Sequence, residues 1–292
     1  MKIRLLEPRD LPRADELRAL AGWNQTLADW ERSRSIEPEG CFAAEWNGTV
    51  TGTATVTCYG REMAWIGMVL VHPDYRRRGI GTALLKHAID CLRARGIAPI
   101  KLDATPEGQP VYEALGFRPE WTIQRWEIPW LAAPIASTDS TAHRLVSIEA
   151  AALLTADRTA FGADRSRLLG KLLEASEVSL WLETERKEAR SAPAAYGMLR
   201  PGSKADYLGP AVAIDAESGL RLIEALLQEA AQTKANPRPV FWDIPDPNRP
   251  AVDLARRLGF RPQRVLTRMF LGENAQPGRP EMQFAIADPS TG

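Results

Sequence analysis

The chain has 292 residues, which is enough for two domains that each bury a core of their own. Lysine plus arginine and aspartate plus glutamate number 37 each, so the net charge gives no reason to expect a nucleic acid or an acidic membrane surface as a partner. We predict a cytoplasmic protein without a metal site, because the three cysteines and three histidines are scattered and neither a signal peptide nor a membrane-length apolar run is present.

In chain order, the first half predicts strands and helices that form one mixed sheet. The strands are expected at 2–6, 41–46, 50–56, 63–71, 97–102 and 121–128, and the helices at 10–21, 26–33, 82–95 and 109–115. The helix at 82–95 carries an apolar stripe that should face the sheet, namely Leu84, Leu85, Ala88, Ile89 and Leu92. Residues 129–142 are rich in Pro, Ala, Ser and Thr, and they predict a linker between two domains.

The most informative stretch is 69–82, which reads V-L-V-H-P-D-Y-R-R-R-G-I-G-T. It predicts a buried strand, a turn and a helix that starts at Gly79 and Gly81. Unpaired amides at a helix start carry partial positive charge, and glycines let a phosphate approach the backbone. With Arg76, Arg77 and Arg78 beside them, these residues predict a pyrophosphate site, although a solvated basic turn would also explain the arginines. The spacing matches neither G-x-G-x-x-G nor the P-loop.

The second half of the sequence repeats the first at a nearly constant offset. The segment 115–119, L-G-F-R-P, recurs at 258–262, and Arg125 and Arg268 follow the two copies at the same interval. Several such matches in the same order predict a duplicated domain.

The second copy lacks the two glycines of the predicted phosphate site and the tyrosine that could donate a proton. Arg221 and Ile223 stand at the positions of the two glycines, so bulky side chains should close a second phosphate site. Ala255, which has no dissociable proton, stands at the position of Tyr112. Pro210 lies where a bulge or a sheet edge would tolerate a proline. We therefore predict a retained scaffold that binds phosphate poorly.

The motif R-x-x-G-x-G at 76–81, followed by Y-E-x-L-G-F at 112–117, resembles the GNAT superfamily of N-acetyltransferases. The resemblance implies an α/β (α+β) protein of two tandem GNAT-like domains, 1–128 and 143–292, each a mixed, mostly antiparallel sheet flanked by helices. It also implies acetyl-CoA as co-substrate, held between splayed strands at 63–71 and 97–103, with a bulge that turns a backbone N–H towards the thioester carbonyl. The implied cofactor-binding residues are Val69, Leu70, Val71, Arg76, Arg77, Arg78, Gly79, Ile80, Gly81 and Thr82.

Amide formation needs a neutral amine, a stabilised oxyanion and a proton for the departing thiolate. Tyr112 stands at the family's position for the proton donor, although it could also be a core aromatic residue. Asp103 or Glu62 could act as base, taking the proton through water; a turn or cap role for Asp103 and ordered water without a dedicated base are the alternatives. Trp23 and Asn24 lie in the loop that should overhang the acceptor, where the tryptophan could instead anchor two helices.

The sequence thus predicts an N-acetyltransferase that moves acetyl from acetyl-CoA to a primary amine of a small molecule. The alternative is a non-catalytic acyl-CoA-binding or regulatory protein in which Tyr112 is structural. A third hypothesis has the second copy bind CoA as well. A homodimer is possible, and no nucleic-acid or membrane partner is expected.

Overall fold

The computed structural model describes residues 1–129, 142–148, 151–183, 193–233 and 238–292, so most of the predicted linker at 129–142 lies outside the described residues. The chain divides into two units. Unit 1 consists of Met1–Glu120, Thr267–Gln276 and Pro289–Gly292. Unit 2 consists of Trp121–Leu266 and Pro277–Asp288.

Unit 1 has a sheet with helices on both faces. Its elements are β1 (Lys2–Leu5), α1 (Leu11–Leu20), α2 (Leu27–Ile36), β2 (Cys41–Trp46), β3 (Thr49–Tyr59), β4 (Met63–Val71), α3 (Ile80–Ala94), β5 (Ile100–Ala104) and α4 (Gln109–Glu113). The strands are neighbours in the order β1-β2-β3-β4-β5, antiparallel except for the parallel pair β4 and β5. The predicted strand at 97–102 begins only at Ile100, because Pro99 has no N–H to donate to a ladder.

Unit 2 repeats this arrangement. Its elements are β6 (Arg118–Ile128), β7 (Ala142–Arg144), α5 (Ala151–Phe161), α6 (Ser166–Ala175), β8 (Val178–Glu183), β9 (Pro193–Arg200), β10 (Asp206–Ala213), α7 (Ala216–Thr233), β11 (Val240–Pro245), α8 (Arg249–Arg257), β12 (Arg261–Leu271) and β13 (Gln283–Ala285), except that 118–120 of β6 and 267–271 of β12 belong to unit 1. The strands run β7-β8-β9-β10-β11-β6, with only β10 and β11 parallel. The predicted fold class, two mixed and mostly antiparallel sheets flanked by helices, is therefore confirmed.

Each sheet ends on a strand from the other half of the sequence. In unit 1, residues 267–271 of β12 pair with β5, and in unit 2, residues 123–128 of β6 pair with β11. The structure therefore differs from the predicted first domain, 1–128, in which 121–128 would complete the first sheet. The sequence could not distinguish the two arrangements, since both last strands follow the same L-G-F-R-P segment and carry an arginine at the same interval.

Two buried ion pairs hold the exchanged strands. Arg268 donates to both carboxylate oxygens of Asp103 at 2.9 and 3.0 Å, and Arg125 donates to both of those of Asp243 at 2.6 and 2.5 Å. In each pair the aspartate side chain is 0% exposed and the arginine 3%. Burial lowers the pKa of Arg125, but the charge of Asp243 and its hydrogen bonds, with smaller contributions from Tyr207 and Asp288, together raise that pKa. A bidentate pair forms only when the two strands are aligned in one register, and a buried charge without its partner is costly. Each pair therefore favours one particular strand as the neighbour in its sheet.

The core of unit 1 is built on the predicted stripe of α3. All five predicted stripe residues are buried against one face of the sheet, and burying a leucine fully contributes roughly 1.5 to 3 kcal/mol. The opposite face packs against α1 and α2, with Trp30 at its centre. The described parts of the chain contain no helix that is long and apolar enough to cross a bilayer. Nor do their His, Cys, Asp and Glu side chains form a cluster of three that could hold a metal ion.

Candidate functional site

The two parallel strands of unit 1 separate over most of their length. Ladder pairing between β4 and β5 is confined to Ala64 and Trp65, opposite Ile100 and Lys101, whereas β4 runs on to Val71. The gap predicted between these strands is therefore confirmed. Because β4 continues beyond the paired part, its later residues can pair with an extended ligand.

A bulge interrupts β4 where the gap opens. The register with β3 passes from Thr55 opposite Gly67 to Thr53 opposite Leu70, so β4 has one extra residue. Met68 adopts φ 48°, a left-handed conformation that costs a non-glycine residue about 1 to 2 kcal/mol. The Thr53 hydroxyl donates to the Met68 carbonyl at 2.9 Å and satisfies it. The predicted bulge is confirmed, and it rotates the backbone beyond it relative to a regular strand.

A cavity of about 490 Å³ lies between β4, α3 and α4. Its walls come from β4 and the loop after it, from the first turns of α3, from the segment between β5 and α4, and from one aromatic residue near the start of the chain. The lining residues are Trp23, Val69, Val71, Tyr75, Arg76, Arg77, Gly79, Ile80, Gly81, Thr82, Leu85, Asp103, Thr105, Glu107, Gly108, Val111 and Tyr112. A second pocket of about 420 Å³ shares Thr82 and Val111 with it and includes Lys86.

The start of α3 presents backbone donors to this cavity. Its N-cap residue, Gly79, has φ 78° and provides no side-chain cap, and the first intrahelical bond is donated by Ala83 to the Gly79 carbonyl. The amides of Ile80, Gly81 and Thr82 precede that bond, and the first amides of a helix have no intrahelical acceptor. Arg77 is also left-handed, at φ 59°. Alternating backbone handedness turns successive N–H groups to one side and forms an anion nest.

The two glycines of the motif are needed for different reasons. At Gly79 a Cβ would meet nothing within 4 Å, so only its positive φ requires glycine. At Gly81 a Cβ would touch only the Cγ2 of Val71, at 3.6 Å. Gly81 therefore keeps the cavity open without being needed for the fold.

Three predicted ligand-binding residues do not line the cavity. Leu70 packs on the opposite face of the sheet, with α1 and α2. The guanidinium of Arg78 lies over the rings of Tyr75 and Trp46, at 5.2 and 5.9 Å, and donates to the Asp74 carbonyl. Asn24 is buried and is absent from the cavity wall. The side chains of Leu70 and Arg78 thus make structural contacts, whereas the predicted role of Leu70 concerns its backbone.

Tyr112 lines the cavity from α4. Its ring meets Phe117 edge to face, with the centroids 6.0 Å apart, and a Cβ on Gly108 would lie 2.9 Å from the ring. Burial raises the pKa of Tyr112 to about 12. The phenol therefore keeps its proton at neutral pH and can act as a donor. Sequence reasoning missed Gly108, whose lack of a side chain makes room for the ring.

The structure corrects the predicted roles of Asp103 and Glu62. Asp103 contributes to the cavity wall, but both of its carboxylate oxygens accept from Arg268 and the side chain is 0% exposed, so its charge is already paired. Arg268 also lies over the Trp65 ring at 4.4 Å. Glu62 precedes the first residue of β4, and at ~3.3 Å per residue it is roughly 20 Å from Val69, where the cavity begins. Neither carboxylate is placed to act as the base.

Trp23 does reach the cavity wall, and the backbone around it is fixed. The backbone N–H of Trp23 donates to the Arg18 carbonyl at 3.2 Å, and Nη1 of Arg18 donates to the Trp23 carbonyl at 3.2 Å. Asp15 accepts from Arg18 at 2.9 Å through both of its oxygens. The tryptophan thus occupies a set position from which its ring can contact a ligand.

The equivalent place in unit 2 is filled by the protein's own chain. β13 pairs with β10 beyond the end of the β10 and β11 ladder, and the N–H of Ile286 donates to the Asp243 carbonyl at 3.1 Å. The Phe284 ring lies so close to Gly219 that a Cβ there would come within 2.2 Å of it. The predicted bulge at Pro210 is present, as a register shift between Leu208 and Ala211.

The reason for the missing phosphate site differs from the predicted one. Ile223 is buried in the core of unit 2 and does not obstruct a binding loop. Instead, α7 already begins at Ala216, so the residues aligned with the loop at 76–79, which are 218–221, are helical. The Ser218 amide donates to Oδ1 of Asp215 at 2.8 Å, and the Gly219 amide donates to the Asp215 carbonyl at 3.2 Å, so these first amides of α7 are already satisfied.

Two parts of the chain match known family profiles. Residues 8–117 match the Acetyltransferase (GNAT) family, and residues 153–285 match the Acetyltransferase (GNAT) domain.

Curated relatives share about a third of the matched residues. The ribosomal protein bS18 alanine N-acetyltransferase of Escherichia coli (strain K12) is 35% identical over 127 residues, which cover 41% of this chain and 82% of that protein. Glucosamine 6-phosphate N-acetyltransferase of Trypanosoma brucei brucei is 31% identical over 132 residues, 40% of this chain and 89% of that protein. An uncharacterised N-acetyltransferase of Methanocaldococcus jannaschii is 32% identical over 113 residues, 36% of this chain; the match spans about half of that relative, 49%.

Solved structures resemble the chain over nearly its whole length. A crystal structure from Pyrococcus horikoshii, provisionally described as an acetyltransferase, has a TM-score of 0.84 at 22% identity and covers 100% of this chain and 95% of that one. A tandem GNAT protein from the clavulanic acid biosynthesis pathway has a TM-score of 0.67 at 16% identity, with coverage of 94% and 99%. At these identities the likeness is one of fold.

Proposed function

The chain belongs to the GNAT acetyltransferase family, and from that premise we propose that unit 1 transfers acetyl from acetyl-CoA to a primary amine of a small molecule. The observation that carries the proposal is the helix start at Ile80, which has no side-chain cap and lines the same cavity as the protonated phenol of Tyr112. A cavity of about 490 Å³ is also within the range of small-molecule sites.

The proposed binding mode follows from the donors on the cavity wall. The amides at 80–82 and the left-handed Arg77 form a nest that suits the pyrophosphate, and the guanidiniums of Arg76 and Arg77 add positive charge. Lys86, which lines the adjoining pocket, would meet the remaining phosphate of the coenzyme. The pantetheine arm would pair with β4 between Val69 and Val71, where β5 has diverged.

The proposed reaction is a direct attack of the neutral amine nitrogen on the thioester carbonyl. The new C–N bond forms, the C–S bond breaks, and the amine loses one proton. Water in the open part of the cavity would take that proton, since neither Asp103 nor Glu62 is available. The backbone beyond the bulge at Met68 would donate to the developing oxyanion.

Tyr112 is the proposed general acid. The thiolate, whose parent thiol has a pKa of roughly 8.5 by analogy with cysteine, is a weaker base than the phenolate, so the proton would move while the C–S bond breaks and not after the thiolate has left. The phenol is still protonated at neutral pH, since burial raises its pKa to about 12. General acid catalysis of this kind typically contributes about 10²- to 10⁴-fold in rate.

Release of the CoA thiol, measured with a panel of amines, tests the proposal against a non-catalytic acyl-CoA-binding role. We expect turnover with at least one small-molecule amine. In Tyr112→Phe, kcat should fall by about 10²-fold or more while the Kd for CoA, measured by calorimetry, stays within about twofold. Binding of acetyl-CoA without turnover across the panel would favour the regulatory role, and turnover only with peptide amines would overturn the small-molecule acceptor.

A further inference from the structure

The helix that carries Tyr112 is too short to hold itself in place. α4 comprises only Gln109–Glu113, and its N-cap residue, Gly108, provides no side-chain cap. A helix of about one turn has almost no cooperative stability of its own. The position of Tyr112 therefore depends on contacts that α4 makes with the rest of unit 1.

One of those contacts comes from β12, a strand in the second half of the sequence whose residues 267–271 belong to unit 1. The hydroxyl of Thr267 donates to Oε1 of Gln109 at 3.0 Å, and Nε2 of Gln109 donates to Oε1 of Glu113 at 2.8 Å. Residues 109, 112 and 113 share one side of a helix, by their spacing of three and four. The hydrogen-bonded chain from Thr267 thus spans the face of α4 on which Tyr112 lies.

Thr267 is itself held firmly. It lies opposite Ala104 in the ladder between β12 and β5, and the next residue, Arg268, makes the bidentate pair with Asp103. The hydroxyl therefore starts from a fixed point of the sheet. A fixed donor at the first residue of α4 restricts both the translation and the rotation of that short helix.

We propose that Thr267 is a positioning residue for the reaction of unit 1, acting through Gln109 on the placement of Tyr112. This inference rests on the proposed function. It gives the second half of the sequence a part in catalysis, because the strand that it sends to unit 1 fixes the proton donor. The effect should appear in kcat and not in coenzyme binding, since the phosphate nest lies on other elements.

The test uses the full chain with Thr267→Val, which keeps the shape of the side chain and removes the hydroxyl, and Thr267→Ser, which keeps the hydroxyl. Thr122→Val is the matched control, because Thr122 makes the corresponding type of bond, to Asp246, in unit 2. We expect Thr267→Val to lower kcat about 10-fold, with the Kd for CoA within about twofold, while the serine variant and the control stay near wild type. In a Tyr112→Phe background, Thr267→Val should cause no further loss.

A purely structural role would lower kcat by the same factor in both backgrounds, and that result would overturn the proposal. Unchanged kcat in Thr267→Val would overturn it as well. Hydrogen exchange provides a readout that needs no turnover: amides at 111–116 should exchange faster in Thr267→Val than in Thr122→Val. Equal exchange would refute the positioning role even in an inactive protein. Absence of turnover in the wild type, with the exchange difference present, would instead count against the proposed function alone.

Discussion

Loss of one partner from the pair of Asp103 and Arg268 should destabilise unit 1 strongly. The two side chains are 0% and 3% exposed, so in Arg268→Met the carboxylate stays buried without its counter-charge. Breaking a buried pair in this way costs about 3 to 5 kcal/mol in the free energy of unfolding. At about 2 to 4 °C per kcal/mol, the Tm should fall by roughly 6 to 20 °C. In Asp103→Leu/Arg268→Met both charges are gone, and most of the loss should be recovered.

A double-mutant cycle makes this a test of the strand exchange. Asp103 and Arg268 should show a coupling energy of about 3 kcal/mol or more, whereas Asp103 and Arg125 should be additive within about 0.5 kcal/mol. Arg125 is the matched control, since its pair with Asp243 has the same exposures. Guanidinium unfolding followed by circular dichroism gives the free energies. Coupling of Asp103 to Arg125, with none to Arg268, would refute the exchange and return 121–128 to the first sheet.

Three further predictions concern the cavity of unit 1 and the equivalent, filled place in unit 2. Gly81→Leu should weaken CoA binding at least about 10-fold by calorimetry at an unchanged Tm, because its Cβ meets only Val71, at 3.6 Å; unchanged affinity would place the ligand elsewhere. The proposed general acid, Tyr112, keeps its proton until the pH rises through about 12, so a kcat profile should show no loss from phenol ionisation up to about pH 10. Phe284→Ala should destabilise unit 2 by about 3 to 5 kcal/mol, and a CoA titration of the wild type should give one site per chain; two sites would contradict the filled groove.

The parts of the site that could be predicted are those that depend on residues close to one another in the sequence. A positive φ at Gly79 follows from the residue type, and a helix start follows from the glycines and the apolar stripe behind them. The left-handed Arg77 could not be predicted in this way, because an arginine has no preference for that conformation. Its backbone is set by the turn that leads from β4 into α3.

The parts that sequence reasoning missed depend on contacts between distant segments. The pattern around Asp103 predicts a carboxylate beside the cavity, but the arginine that occupies it is 165 positions away. The same holds for Phe284, whose segment reads as a short apolar run and gives no sign that it fills the groove of unit 2. Such contacts depend on which strands become neighbours in a sheet, and local strand propensity does not determine that.

The exchanged strands also impose an order of events on a newly made chain. β5 is exposed as an open sheet edge when residue 120 leaves the ribosome, and its partner, Thr267–Leu271, is still to be translated. At about 5 to 20 residues per second, roughly 8 to 30 s pass before that partner is made. During this interval the open edge can pair with other nascent chains. Slow codons or a premature stop in the second half of the reading frame should therefore impair the folding of unit 1, although residues 1–120 have already been synthesised.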